Sequence, residues 1–213
     1  MMLFWGCGIG SGYMLLCFHR VLWNMILKSY EIHPYGGLIM ADPSLSRQVA
    51  FNGNPVTLEG TIIDVGDSAP EFTVVDSNLG SVSLADFRGR VVVLITVPSL
   101  DTPVCDMEAR RFDQEAEKLS GQAAFLVVSM DLPFAQQRWC GAADTHHVMT
   151  LSDYKDRQVG KGYGLYMAEL GLLARAVFII DTSGVVRYRE IVPEVTHEPN
   201  YAQALSALKA LLQ

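Results

Sequence analysis

Cysteine is scarce in this 213-residue sequence, and none of it is spaced for a metal or for dithiol exchange. Four cysteines occur, at positions 7, 17, 105 and 140, with no Cys-x-x-Cys and no zinc-type pattern. They could form two structural disulfides, but a chain this long, half of it apolar, buries one good core without such staples. Basic residues are also in deficit. Sixteen Lys and Arg stand against 23 Asp and Glu, a formal charge of −7, which argues against nucleic acid or an anionic membrane surface as a partner. No internal repeat and no block of like charge stands out.

A clean membrane-length apolar run is missing as well. Residues 3–18 are apolar and glycine-laced, His19-Arg20 interrupts, and residues 21–27 resume. The roughly 20 apolar residues of a spanning helix are reached only across Arg20. An export signal fits poorly, because no basic residues precede the apolar run and no small-x-small cleavage site follows it. Met40-Ala41-Asp42-Pro43 looks like a natural start of translation. The expectation is therefore an upstream extension over residues 1–40, with a membrane anchor or export signal as the alternatives, and one cytoplasmic domain over 41–213. Cys7 and Cys17 lie in the extension and are given no redox role.

What the sequence does have is a well-placed thiol. The apolar strand formers Val91-Val92-Val93-Leu94-Ile95 lead into Pro98-Ser99-Leu100-Asp101-Thr102-Pro103-Val104-Cys105, and a helical stretch from Asp106 to Leu119 leads out. Thr102 suits an N-cap and Pro103 the first helical position, where its missing N–H costs nothing. Cys105, Ala109, Phe112, Ala116 and Leu119 recur at spacings of three and four and share a core face. Glu108, Arg111, Glu115 and Lys118 are expected on the opposite, solvated face. The sulfur thus sits in a helix's first turn, where free N–H groups and the dipole stabilise an anion by roughly 0.3–1 kcal/mol. Such a setting favours a reactive thiolate. The bland alternative is a small buried hydrophobe.

Phe51-Asn52-Gly53-Asn54-Pro55-Val56-Thr57-Leu58 reads as a hairpin around Asn-Gly. Short strands follow at Phe72–Val75 and Phe125–Ser129, the latter parallel to the Val91 strand through the Cys105 helix. Ala176–Ile180, the turn Asp181-Thr182-Ser183-Gly184 and residues 185–192 make an antiparallel pair, and an amphipathic helix from Tyr201 to Leu212 closes the chain.

Ser99-Leu100-Asp101-Thr102-Pro103-Val104-Cys105 resembles the active-site pattern of the thiol peroxidases, a subfamily of the peroxiredoxins. Two further blocks agree in order: Ser129-Met130-Asp131-Leu132-Pro133-Phe134-Ala135-Gln136 with Arg138-Trp139-Cys140-Gly141-Ala142, and Ala174-Arg175-Ala176-Val177-Phe178. The resemblance runs from about Phe51 to the C-terminus, roughly three quarters of the chain. It implies an α/β, thioredoxin-like fold, a central mixed sheet flanked by helices with an added N-terminal β-hairpin. It also implies reduction of hydroperoxides by the Cys105 thiolate, leaving a sulfenic acid that Cys140 resolves as an intrachain Cys105–Cys140 disulfide. Thr102 would hold the peroxide, Arg175 would favour the thiolate and hold a peroxide oxygen, and Pro103 would cap the pocket. Thioredoxin is the implied reductant, a homodimer the implied assembly, and no cofactor or metal is implied. Relatives usually carry a Gly and an Asn near where this chain has Ala143-Asp144-Thr145-His146-His147-Val148, and within it His146-His147 is read as a solvated loop rather than a metal site.

Two other classes stay open at this stage. A disulfide oxidoreductase would need Cys-x-x-Cys in place of Thr102-Pro103-Val104-Cys105 and a cis-proline in place of Ala174-Arg175-Ala176. A non-enzymatic redox sensor or chaperone-like binder would use the same two cysteines.

Overall fold

The structure, a computed structural model, describes residues 30–32, 38–40 and 47–213. The chain divides into two compact units, Met1–Pro43 and Ser44–Gln213. In the first, β1 (Tyr30–Ile32) and β2 (Leu38–Met40) form an antiparallel pair. The readings of an extension, anchor or signal before residue 30, and Cys7 and Cys17, lie outside the described residues. Among the described residues, no helix is long and apolar enough to cross a membrane.

The second unit opens with β3 (Arg47–Phe51) and β4 (Asn54–Glu59), the hairpin expected around Asn52-Gly53. Both turn residues have positive φ, at 51° and 75°, as a two-residue turn matched to the strand twist requires. Then come β5 (Thr73–Val75), β6 (Ser81–Ser83), a 3₁₀ turn (Leu84–Phe87) and β7 (Val91–Thr96). After α1 (Pro103–Lys118) follow β8 (Ala123–Ser129), α2 (Pro133–Ala143), β9 (Val148–Ser152) and the short α3 (Gln158–Gly162). The chain ends through β10 (Tyr166–Met167), β11 (Leu172–Leu173), β12 (Ala176–Ile180), β13 (Val186–Ile191) and α4 (Tyr201–Leu211).

Seven strands form one mixed sheet in the order β13-β12-β7-β8-β9-β5-β6. β7, β8 and β9 are parallel neighbours, and β12 runs antiparallel to β7. Parallel neighbours need a crossover, which α1 and α2 supply. The central strands are buried on both faces, which is why β7 and β8 are continuous apolar runs rather than alternating ones. Val91, Val93 and Ile95 of β7 meet Ala109, Phe112 and Ala116 of α1, Trp139 of α2 and Leu208 of α4, whereas Val92 and Leu94 meet Phe72, Val159 and Phe178 on the other face. Each of the Val, Leu, Ile and Phe side chains among these contributes roughly 1.5–3 kcal/mol by leaving water, the alanines less. A smaller sheet, β11-β10-β4-β3, carries a third cluster built on Val49, Val56, Leu58 and Met167. The expected thioredoxin-like α/β architecture with an added hairpin is the one observed. The two-residue strands β10 and β11, which complete the hairpin's sheet, were not among the elements expected from the sequence.

Candidate active site

β7 ends at Thr96, and the chain turns through Ser99 and Leu100 before α1 begins at Pro103. Asp131, just past β8, fixes that turn. Its carboxylate accepts from Ser99 Oγ at 2.7 Å, from the Leu100 N–H at 2.8 Å and from Ser129 Oγ at 2.8 Å. Three donors on one carboxylate hold the loop that launches α1, and with it the position of Cys105.

Cys105 occupies the first turn of α1 with 0 % exposure, on the face shared with Ala109, Phe112 and Ala116. Arg175, in the two-residue link between β11 and β12, reaches it across the start of β12. Its guanidinium is held at three points: Nε donates to the Val195 carbonyl at 2.9 Å, Nη1 to Glu108, and Nη2 to Cys105 Sγ at 3.3 Å. The backbone on either side is pinned too. Thr96 Oγ1 donates to the Ala174 carbonyl at 2.8 Å, and the Val192 N–H to the Arg175 carbonyl at 2.9 Å. A planar fork with five donors can serve several partners at fixed angles, which an ammonium cannot.

Glu108 corrects the sequence reading. It was expected on the solvated face of α1 with Arg111, Glu115 and Lys118, but it has 0 % exposure and pairs with Arg175. Arg111 and Lys118 are exposed as expected, Arg111 lying over the Tyr201 ring at 3.9 Å. Burial pushes the Glu108 carboxyl up to about 7, against the pull of Arg175, with Glu190 and Glu198 adding smaller upward contributions. Its Oε1 is buried without a hydrogen-bond partner among the described residues. For Arg175, burial pulls the pKa down, but Glu108 and then Cys105 outweigh it and the net shift is upward. One buried guanidinium therefore faces two acidic groups. The one signal in the sequence was spacing: Glu108 is three residues from Cys105 and so adjacent to it on a helix.

Thr102 and Pro103 stand at the N-cap and first helical position of α1, both exposed. Thr102 was expected to cap the helix with its side chain, and it does not. Its hydroxyl donates back to the Ser99 carbonyl at 2.9 Å, while its own carbonyl accepts the first helical bond from the Asp106 N–H at 2.9 Å. The hydroxyl proton is committed to the loop, and the oxygen's lone pairs remain.

Cys140 is half-buried on α2, packed against the same core cluster as Cys105, with Sγ and Thr150 Oγ1 3.2 Å apart. Both cysteines are free thiols. His146 and His147 are exposed, as expected. Their backbone N–H groups donate to Asp113 at 3.1 and 2.6 Å, and among the described residues no cluster of His, Cys, Asp and Glu is arranged to hold a metal.

A thioredoxin-like sheet that delivers a buried thiol to a helix start, beneath a guanidinium and without a second cysteine nearby in sequence, defines a thiol-based redox protein. The redoxin family profile matches residues 64–205. The chain is 49 % identical over 166 residues to a thiol peroxidase of Bacillus subtilis, covering 78 % of this chain and 99 % of that one. It is 51 % identical over 163 residues to a thiol peroxidase of Clostridium acetobutylicum, covering 76 % and 98 %. Among solved structures, a peroxiredoxin-like protein from Aquifex aeolicus superposes with a TM-score of 0.73 at 44 % identity, covering 78 % of this chain and 99 % of that one. The chain belongs to the redoxin family and, within it, to the thiol peroxidases.

Proposed function

We propose that the protein reduces hydrogen peroxide and organic hydroperoxides through Cys105 and Cys140, with thioredoxin as the reductant. The contact of Arg175 Nη2 with Cys105 Sγ carries this reading, because a fixed cation on a buried sulfur favours the anion that attacks an O–O bond.

In the first step the Cys105 thiolate attacks the terminal oxygen of the hydroperoxide. An S–O bond forms, the O–O bond breaks, and the alkoxide or hydroxide leaves, to be protonated to alcohol or water, while Cys105 becomes a sulfenic acid. Charge grows on the leaving oxygen, so donors fixed in advance are worth about 2.7–4 kcal/mol each in this kind of step. Arg175 is the donor already oriented. Thr102 binds the peroxide through its oxygen lone pairs, or through its proton once the bond to Ser99 breaks. Pro103 limits water beside them. Because Cys105 has no exposure, peroxide reaches the sulfur through a local opening of the turn at residues 102–104.

In the second step the Cys140 thiolate attacks the sulfenic sulfur. The S–S bond forms, the S–O bond breaks and hydroxide leaves as water. Thioredoxin's dithiol then reduces the disulfide. Bonded cysteines need Cα atoms within about 7 Å, and here the two stand on different helices, so both turns open locally. Two copies of the chain associate, a reading supported by the exposed apolar side chains of Met107, Leu132 and Phe134.

The test is direct. One equivalent of peroxide converts the reduced protein to a monomer lighter by two hydrogens, with a linked peptide pair containing Cys105 and Cys140. Cys140→Ser still consumes one equivalent at close to the wild-type rate, holds a sulfenic acid trappable by dimedone, and loses thioredoxin-coupled turnover. A disulfide joining two chains through Cys105, or full turnover by Cys140→Ser, would overturn the scheme.

A further inference from the structure

The two cysteines have neighbours that touch. Asp106 follows Cys105 and Trp139 precedes Cys140. The Trp139 indole N–H donates to Asp106 Oδ1 at 2.8 Å, with the indole 6 % exposed. Water therefore offers that N–H little in exchange, which raises the value of the bond. Arg110, one turn further along α1, completes the join. Its Nε binds both oxygens of Asp106 at 2.9 and 3.0 Å, its Nη1 donates to the Ala143 carbonyl at 2.6 Å, and its guanidinium lies 5.9 Å from the centre of the Trp139 ring.

α2 is anchored near its start by the buried Gln136, whose amide donates to Ser129 Oγ and to the Leu151 carbonyl, and is less firmly fixed toward Cys140. Leu132 stands at its N-cap without a side-chain capping bond, and Asp144 ends it at a φ of 55°. Gly141 lies one residue past Cys140, and glycine costs a helix interior about 1 kcal/mol relative to alanine. Asp106 and Arg110 of α1 hold the turn around Cys140 through Trp139 and the Ala143 carbonyl, and Asp106 directly follows Cys105.

We propose that Asp106 and Trp139 are positioning residues that couple the openings of the two cysteines. When the first turn of α1 unwinds to release a Cys105 sulfenic acid, Asp106 moves with it and withdraws the acceptor from Trp139. The turn holding Cys140 then loosens at the moment its thiolate is required. In the reduced protein the same bond keeps both turns closed. The hydrogen bond thus acts as a brake on resolution that the oxidised Cys105 turn itself releases. This inference rests on the reading that Cys105 and Cys140 form an intrachain disulfide.

The test uses the full chain, mixed rapidly with hydrogen peroxide, quenched by alkylation at set times and weighed. Loss of free thiol gives the attack rate, and conversion of sulfenic acid to disulfide gives the resolution rate. Trp139→Phe keeps a ring but loses the N–H. Attack should stay within about twofold of wild type, while resolution speeds up by about five- to tenfold, the effect of losing one net hydrogen bond that only the closed state makes. Less sulfinic acid should accumulate per turnover. Asp106→Ala should act in the same direction, and the double variant should resolve no faster than Asp106→Ala alone. Asp106→Asn, which keeps an acceptor oxygen, should resolve near the wild-type rate, a rescue that a merely structural role would not show. Unchanged resolution in both Trp139→Phe and Asp106→Ala, or additive effects in the double variant, would overturn the inference. A wild type that forms no Cys105–Cys140 disulfide would overturn the reading beneath it as well, and that result is visible before any variant is made.

Discussion

The surroundings of Cys105 and Cys140 differ in what holds the sulfur. Cys105 lies at a helix start with 0 % exposure, on a guanidinium that is itself 2 % exposed and fixed at three points. Cys140 lies inside a helix, half-buried, with one threonine hydroxyl near its sulfur and no cation in hydrogen-bond contact among the described residues. The first environment is built to stabilise charge. The second is held more loosely, since Cys140 is only half-buried and is followed in its helix by Gly141, a poor helix former. A rigid charged pocket suits an attack whose transition state develops charge, and a weakly fixed turn suits a thiol that has to travel.

The largest break in that contrast is Cys105→Ser. A serine hydroxyl of similar size does not ionise near neutral pH, so peroxide consumption should vanish while the fold, read by circular dichroism, is retained. Peroxide consumption near the wild-type rate in this variant would remove the charged pocket from the chemistry and shift attention to Cys140.

Next in size is Arg175. Removing it takes away the cation on sulfur and the oriented donor together, and Arg175→Met should lower the peroxide attack rate by about 10²–10³, the usual cost of one such donor. It also leaves Glu108 buried without its partner, so stability should fall, and Glu108 should meet this by staying protonated. Arg175→Lys keeps the charge but cannot reach Val195, Glu108 and Cys105 at once. It should lose rate by more than it shifts the ultraviolet titration of the thiolate. Stopped-flow kinetics and thiolate absorbance on the same samples check both, and unchanged kinetics in Arg175→Met would take Arg175 out of the site.

Much of this was legible in the sequence because local patterns carried it. The Val91–Ile95 run, Thr102-Pro103 at a helix start and the three-four spacing behind Cys105 placed β7, α1 and the sulfur to within a residue or two. Asn52-Gly53 gave the hairpin. Arg175 came from the family resemblance rather than from any local pattern, since its contact with Cys105 spans 70 positions. Glu108 was misread for a physical reason. A charged residue off the apolar stripe belongs in water unless a partner arrives to be buried with it, and that partner came 67 positions later, in the link that leads into β12. Asp131 was seen in the sequence but left without a role, because the two loops it ties together meet only in the folded sheet.

The smallest expected effect lies in Glu108, and it tests whether the charged pocket holds one anion or two. Burial raises its carboxyl to about 7, above the unfolded value near 4.5. A raised acid favours the folded state in its protonated form, because the folded chain then binds more protons than the unfolded one. Its contribution to stability is fully present below about pH 4.5 and is lost as pH rises through about 7. Glu108→Gln keeps the shape and an oxygen for Arg175 but does not titrate. Urea midpoints near pH 5 and near pH 8 should therefore show wild type losing ground to Glu108→Gln at the higher pH. The kinetics should move in step. An ionised Glu108 competes with Cys105 for Arg175, so Glu108→Gln should attack peroxide somewhat faster than wild type near pH 8, with little difference near pH 5. If the stability difference between the two proteins were flat with pH, Glu108 would not change its charge in this range. A slower attack by Glu108→Gln near pH 8 would mean that the Glu108 carboxylate supports the thiolate by aiming Arg175, rather than competing for it.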